Sequence, residues 1–69
     1  MQLALRIRQI RLLKGFSQEY MADKMEISQP AYSRIENKAG NCTFYTLTKL
    51  AKVLDVKLAY LIDVDTPIE

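Results

Sequence analysis

A single cysteine, Cys42, and not one histidine stand in this chain of 69 residues. One thiol cannot close a disulfide within the chain, and without imidazoles it cannot make a structural zinc site, which takes several Cys or His ligands. A chain this short buries only about 60% of the surface its unfolded form exposes, so its stability margin is thin and nothing staples it. Packing alone must hold it. The composition allows that: 49% of the residues are hydrophobic at a net charge of +2, which describes a globular chain rather than a disordered one. The length admits one domain. The same absences bear on function. Without histidine, neither a Ser-His-Asp nor a Cys-His nucleophile can be assembled, so no enzyme activity, metal or cofactor is expected. A lone thiol fits a reducing, cytoplasmic setting better than secretion. Arg6, Arg8 and Arg11 break up the N-terminal apolar stretch, so no signal peptide is expected there. No run approaches the roughly 20 apolar residues of a membrane span, and no membrane partner is expected.

The apolar residues recur with a helical period nearly throughout. Leu3, Ile7 and Ile10 follow one another at steps of four and three, with Leu13 continuing the row, and predict the inner face of a first helix. Gly15 ends it as a left-handed residue would, just after Lys14 in the last turn. Ser17 reads as the N-cap of a short second helix, with Glu19 in its first turn and Met21, Ala22 and Met25 on its buried face. Ser28 or Gln29 opens a third. Pro30 suits a first turn, but proline disfavours helical geometry at the residue before it, so the cap stays between the two. Ala31, Tyr32 and Ile35 give this helix its inner face. Residues 37–42 are the clearest loop, and Thr43 can cap a fourth helix that turns Leu47, Leu50, Ala51 and Leu54 inward. Leu58, Leu61 and Ile62 predict a short fifth. Residues 1–62 then make one domain, and residues 63–69, with Pro67, a short C-terminal tail expected to fray. With no β-alternation and no internal repeat, the expected fold is all-α, five short helices.

The stretch from Ser17 to Glu36 carries the functional reading. A short helix, a tight turn and a second helix describe a helix-turn-helix, in which the first helix crosses the DNA backbone and the second lies in the major groove. The outward positions of that second helix are Gln29, Ser33 and Arg34, with Ser28 and Pro30 at its leading end. Glutamine can pair bidentately with adenine and arginine with guanine, so these residue types suit base reading. Charge leans the same way: residues 1–38 hold seven cations against four anions, residues 39–69 three against four. A basic half points toward a polyanion. Helix spacing by itself is not specific, since any small bundle would show it.

More specific are the blocks Ile7-Arg8-Gln9-Ile10-Arg11, Gly15-Phe16-Ser17-Gln18-Glu19-Tyr20-Met21-Ala22, Ile27-Ser28-Gln29 and Ser33-Arg34-Ile35-Glu36-Asn37. Together with Leu47, Leu50, Ala51, Leu54 and Val56, they resemble the XRE-type, lambda-repressor-like helix-turn-helix family over roughly residues 5–62. The resemblance implies a compact five-helix DNA-binding domain with the helix-turn-helix at its second and third helices. It also implies a sequence-specific transcriptional regulator, commonly a homodimer on an operator in double-stranded DNA. By position, it gives Gln18 a phosphate contact and the buttressing of the reading helix. Gln29 falls at a base-reading position, and Ser33 and Arg34 face bases or phosphates. Asn37, Lys38 and Asn41 lie in a loop that follows the backbone. Arg11 and Glu36 match a pair that forms an internal salt bridge, which makes them structural.

Some positions depart from the family pattern. Glycine is frequent where this chain has Glu26, Lys38 and Asp55; if the backbone there keeps a positive φ, each is strained by roughly 1 kcal/mol. Pro30 replaces a polar reader by an apolar contact, and Lys57 stands where a capping serine is usual. Other residues have plainer readings. Arg6 and Arg8 are expected on a solvated helix face, Tyr32 as a packed ring, Met21 and Met25 as core fillers, and Cys42 as a passive loop residue. Leu58, Tyr60, Ile62 and Val64 are more apolar surface than one short helix can bury, and mark a candidate dimer interface. A homodimer built there would hold two reading helices about 34 Å apart, one turn of DNA. No small-molecule ligand is evident. The competing reading is an antitoxin-like or other protein-binding module that uses the helix-turn-helix as a scaffold, against which the short tail after Ile62 speaks.

Overall fold

The computed structural model describes residues 2–38 and 42–68. Five helices follow in order: α1 (Gln2–Lys14), α2 (Gln18–Met25), α3 (Gln29–Asn37), α4 (Phe44–Leu54) and α5 (Leu58–Ile62). No strand occurs among the described residues.

Each boundary has a local cause. Ser17, Ser28 and Thr43 are extended residues whose hydroxyls accept from the backbone N–H three residues on, at 2.9, 3.2 and 3.1 Å, and so start α2, α3 and α4. Ser28 is therefore the cap of α3, with Pro30 in its first turn. Three ends share one device, a left-handed residue followed by an apolar one. Gly15, Glu26 and Asp55 have φ of 77°, 60° and 58°. The next residues, Phe16, Ile27 and Val56, donate back to the carbonyls of Arg11, Ala22 and Ala51 and pack against the core. Glycine is thus replaced at two left-handed positions. Lys38 differs: at φ −131° it is unstrained, so the turn after α3 is of another kind. Lys57 precedes α5 without a side-chain cap, leaving the first turn of that helix to the backbone alone.

The core draws on all five helices: Ile7, Ile10, Met21, Ala22, Met25, Tyr32, Leu50, Ala51, Leu54 and Leu61. α1 packs on α3, α4 and α5, while α2 packs on α3 and α4. The radius of gyration is 10.7 Å, close to the roughly 11 Å expected for a folded domain of this length. Leu13 departs from expectation. It does not continue the inner row but is 60% exposed. A three-residue step falls short of a full turn by about 60°, and from Ile10 that carries the side chain off the buried face.

Arg6 and the tail also differ from the sequence reading. Arg6 is only 4% exposed. Its Nε donates to the Tyr60 carbonyl at 2.9 Å, its Nη1 to the Thr66 carbonyl, and its guanidinium sits 4.7 Å from the centre of the Tyr60 ring. The tail does not fray away. A turn at Asp63, where the Thr66 hydroxyl donates to the Asp63 carboxylate, sends residues 63–68 back over α1, and Ile68 packs against the core. Arg6 is the clasp, because its planar donor fork can hold two carbonyls while its stem stays among apolar groups. Its Nη2 is buried with no partner among the described residues.

Candidate nucleic-acid interface

A three-residue turn, Glu26 to Ser28, joins α2 to α3. What fixes the angle between the two helices is a buried carboxylate. Glu36, 1% exposed near the end of α3, accepts from Arg11 of α1 through Nε at 2.8 Å and Nη2 at 3.0 Å. It accepts from Gln18 of α2 at 3.2 Å, and from the Tyr32 hydroxyl of α3 itself at 2.6 Å. Arg11 also donates through Nη1 to the Phe16 carbonyl at 2.9 Å, holding the α1–α2 turn. Three helices thus meet on two oxygens.

The electrostatics follow from that geometry. Burial alone would push the Glu36 carboxyl up, but the hydrogen bonds from Arg11, Tyr32 and Gln18 together bring it below its ordinary value. The Glu36 hydrogen bond raises Arg11. Burial, then the bond to Glu36, raises the Tyr32 hydroxyl, so it stays a donor. The pair is therefore ionised and hydrogen-bonded on both sides, so neither buried charge is left without a partner.

With Tyr32 and Glu36 turned inward, α3 presents Gln29, Pro30, Arg34 and Asn37 to solvent, with Ser33 half-buried at their side. These positions share one face of the helix. Ser28, exposed at its start, spends its hydroxyl as an acceptor on the cap. Arg34 makes no ion pair among the described residues. Gln18 is half-buried, tied to Glu36, and sits at the first position of α2. Lys38 is exposed just after α3; Asn41, expected beside it, lies outside the described residues.

Two features were not singled out from sequence. Arg8, expected on a solvated face, is drawn to the end of α3, donating to Glu36 at 3.3 Å and to Asn37 at 3.5 Å while its side chain stays 47% exposed. An open groove between α3 and the start of α4 is lined by Ala31, Arg34, Lys38, Cys42, Thr43 and Thr46, so the α4 N-terminus flanks the outward face of α3. Nothing in the period of α4 announces that neighbour. Cys42 is half-buried there, and burial raises its thiol above the ordinary value. Among the described residues no three His, Cys, Asp or Glu side chains gather as metal ligands, and no helix is long and apolar enough to cross a membrane. Of the expected dimer residues, Leu58 and Tyr60 are half-buried and packed against the core, while Ile62 and Val64 are exposed.

Known proteins show the same arrangement of sequence. A helix-turn-helix family model matches residues 7–61. An uncharacterised HTH-type transcriptional regulator of Bacillus subtilis, YqaE, is 36% identical over 56 residues, which is 81% of this chain and 48% of YqaE. A second from B. subtilis, the SPbeta prophage-derived regulator YonR, also uncharacterised, is 35% identical over 57 residues, 83% of this chain and 53% of YonR. The chain spans about half the length of these curated relatives. No solved structure shows a significant match. The match covers all of α2 and α3 together with both partners of the Arg11–Glu36 pair, so the carboxylate that sets the angle of the outward helix lies inside the family's own boundaries: the chain belongs to the XRE-type helix-turn-helix family.

Proposed function

We propose that this chain is a sequence-specific DNA-binding transcriptional regulator that acts as a homodimer on an operator, with α3 in the major groove. The observation that carries the reading is the bonding of Glu36 to α1, α2 and its own helix, which ties α3 to both neighbours while Gln29 and Arg34 stay exposed with Ser33 half-buried beside them. A reading helix must keep its side chains in register with base edges, and a fixed scaffold supplies that. In this reading Gln29 and Arg34 contact bases, Ser28 and Ser33 contact bases or phosphates, and Pro30 offers an apolar contact to a thymine methyl. Gln18, Asn37, Lys38 and Asn41 follow the phosphate backbone, where Arg8, half-exposed at the end of α3, adds a cation. Regulation is by occupancy of the site.

Selection from a pool of random duplex DNA at two salt concentrations, followed by sequencing, tests this. The expected result is an enriched two-fold motif bound with a steep salt dependence, each phosphate contact adding about −0.9 to the slope of log K against log salt. Retention without enrichment would overturn sequence-specific reading and favour a protein partner that uses the helix pair as a scaffold.

A further inference from the structure

Arg8 of α1 reaches two neighbouring acceptors at the end of α3. Its guanidinium donates from Nε to the Glu36 carboxylate at 3.3 Å and from Nη2 to the Asn37 amide oxygen at 3.5 Å. Those two donors share one edge of a rigid plane, so a single orientation of Arg8 serves both acceptors. Glu36 does not need this second cation. Arg11 already gives its carboxylate two hydrogen bonds, at 2.8 and 3.0 Å, from a nearly buried position, whereas the side chain of Arg8 is 47% exposed. An ion pair so open to water adds little to stability.

What Arg8 changes is the Asn37 amide. An amide carries an acceptor oxygen and a donor NH2, and a half-turn of the side chain exchanges them. A guanidinium has donors only, so beside Arg8 just one arrangement is bonded: the oxygen on the guanidinium and the NH2 turned away from it. Asn37 is the last residue of α3, four after Ser33 and three after Arg34, and it is exposed on the same outward face. Its NH2 has no partner among the described residues and stands as a donor at the edge of that face, with exposed Lys38 next in the chain. A phosphate oxygen only accepts, so the reversed amide would set oxygen against oxygen. The orientation of this one group decides whether Asn37 attracts a phosphate or repels it.

We propose that Arg8 is a positioning residue for DNA binding: it holds the Asn37 amide with its NH2 outward, so that a backbone phosphate at the end of α3 meets a donor already set. This deepens the regulator reading, on which it rests, by giving Arg8 a role beyond its charge. A donor fixed before binding spares the ordering that a free side chain undergoes in the complex.

Two measurements test this. In the free protein, 15N relaxation of the Asn37 side-chain NH2 gives a lower order parameter in Arg8→Met than in the wild type. Circular dichroism shows the variant folded, since Arg11 still bonds Glu36. On a short duplex of mixed sequence, Asn37→Ala weakens binding about tenfold in the wild type but no more than about twofold in the Arg8→Met background. Arg8→Lys keeps the cation and with it the salt slope, yet it too makes Asn37→Ala nearly silent, because a point charge drawn to Glu36 has no planar edge to hold the amide. An equal cost of Asn37→Ala in all three backgrounds overturns the proposal, and so does an amide as ordered in Arg8→Met as in the wild type. A wild-type protein that binds no duplex overturns the regulator reading and with it the phosphate as ligand, while the order parameter, read without DNA, separately decides whether Arg8 sets the amide.

Discussion

Glu36 concentrates the most consequential chemistry of the molecule in two oxygen atoms. Replacing it by Gln strips Arg11, itself 7% exposed, of its counter-charge, and breaking a buried pair in this way costs about 3–5 kcal/mol. In a urea titration the variant should unfold at a much lower midpoint, and Arg11→Met in the same chain should recover part of the loss by removing the stranded cation. The pair also carries a pH signature. Because the folded carboxyl lies below its ordinary 4.5, its contribution is complete above that value and is lost as pH falls through the folded one. The stability difference between the wild type and Glu36→Gln should therefore hold steady above about pH 5 and narrow as pH falls below it; a difference that stays constant down to about pH 3 would contradict the sign. On the outward face the expectations concern binding. Arg34→Ala should reduce discrimination among operators by about 1–3 kcal/mol, read as competition between selected and mutated sites. Lys38→Ala should weaken binding to all duplexes alike and reduce the salt slope by about 1. The Arg11–Glu36 pair was within reach of the family resemblance. The resemblance also gave Gln18 the buttressing of the reading helix, but not the Glu36 carboxylate as the group it bonds, since that depends on how α2 crosses α3. Tyr32 stands at i, i+4 to Glu36 and was legible in principle, but its place on the inner face hid its hydroxyl.

At the scale of elements, helix ends decide more than helix bodies do. Glu26 and Asp55 hold left-handed backbone with side chains that glycine would spare, whereas Lys38, at the third position where the family favours glycine, does not. Three substitutions separate these cases. Glu26→Gly should raise the thermal midpoint, gaining up to about 1 kcal/mol, with Asp55→Gly gaining less because Asp tolerates this region better. Lys38→Gly should lower it, since an unstrained site gains nothing and the unfolded chain gains freedom. A rise for Lys38→Gly comparable to that for Glu26→Gly would contradict the turn described here. The caps at Ser17 and Thr43 and the faces of α2 and α4 were readable because Ser and Thr caps and apolar spacing are local codes. Leu13 was misread because α1 has apolar residues around its whole circumference, and a row of period three or four can then be drawn on either side.

At the scale of the whole molecule, a small core is closed by the folded-back tail. Removing residues 63–69 takes the Thr66 carbonyl from Arg6 and Ile68 from the core, and should cost about 1–3 kcal/mol in a denaturant titration, the range for stranding a buried donor. Equal stability of the shortened chain would show that the tail only rests on the surface. This closure was not legible, because Arg6 and Thr66 are 60 residues apart in sequence and a guanidinium amid Leu and Ile reads equally well as a solvated face.

That clasp also settles how the polypeptide runs in space. Arg6 lies in the second turn of α1, and the carbonyl it holds belongs to the last few residues of the tail, so the two ends of the path arrive side by side. The fold is in effect a ring of five helices cut at one point. A peptide joining the tail to α1, with the ring reopened between α3 and α4, would leave every helix its neighbours while reversing which half emerges first from the ribosome.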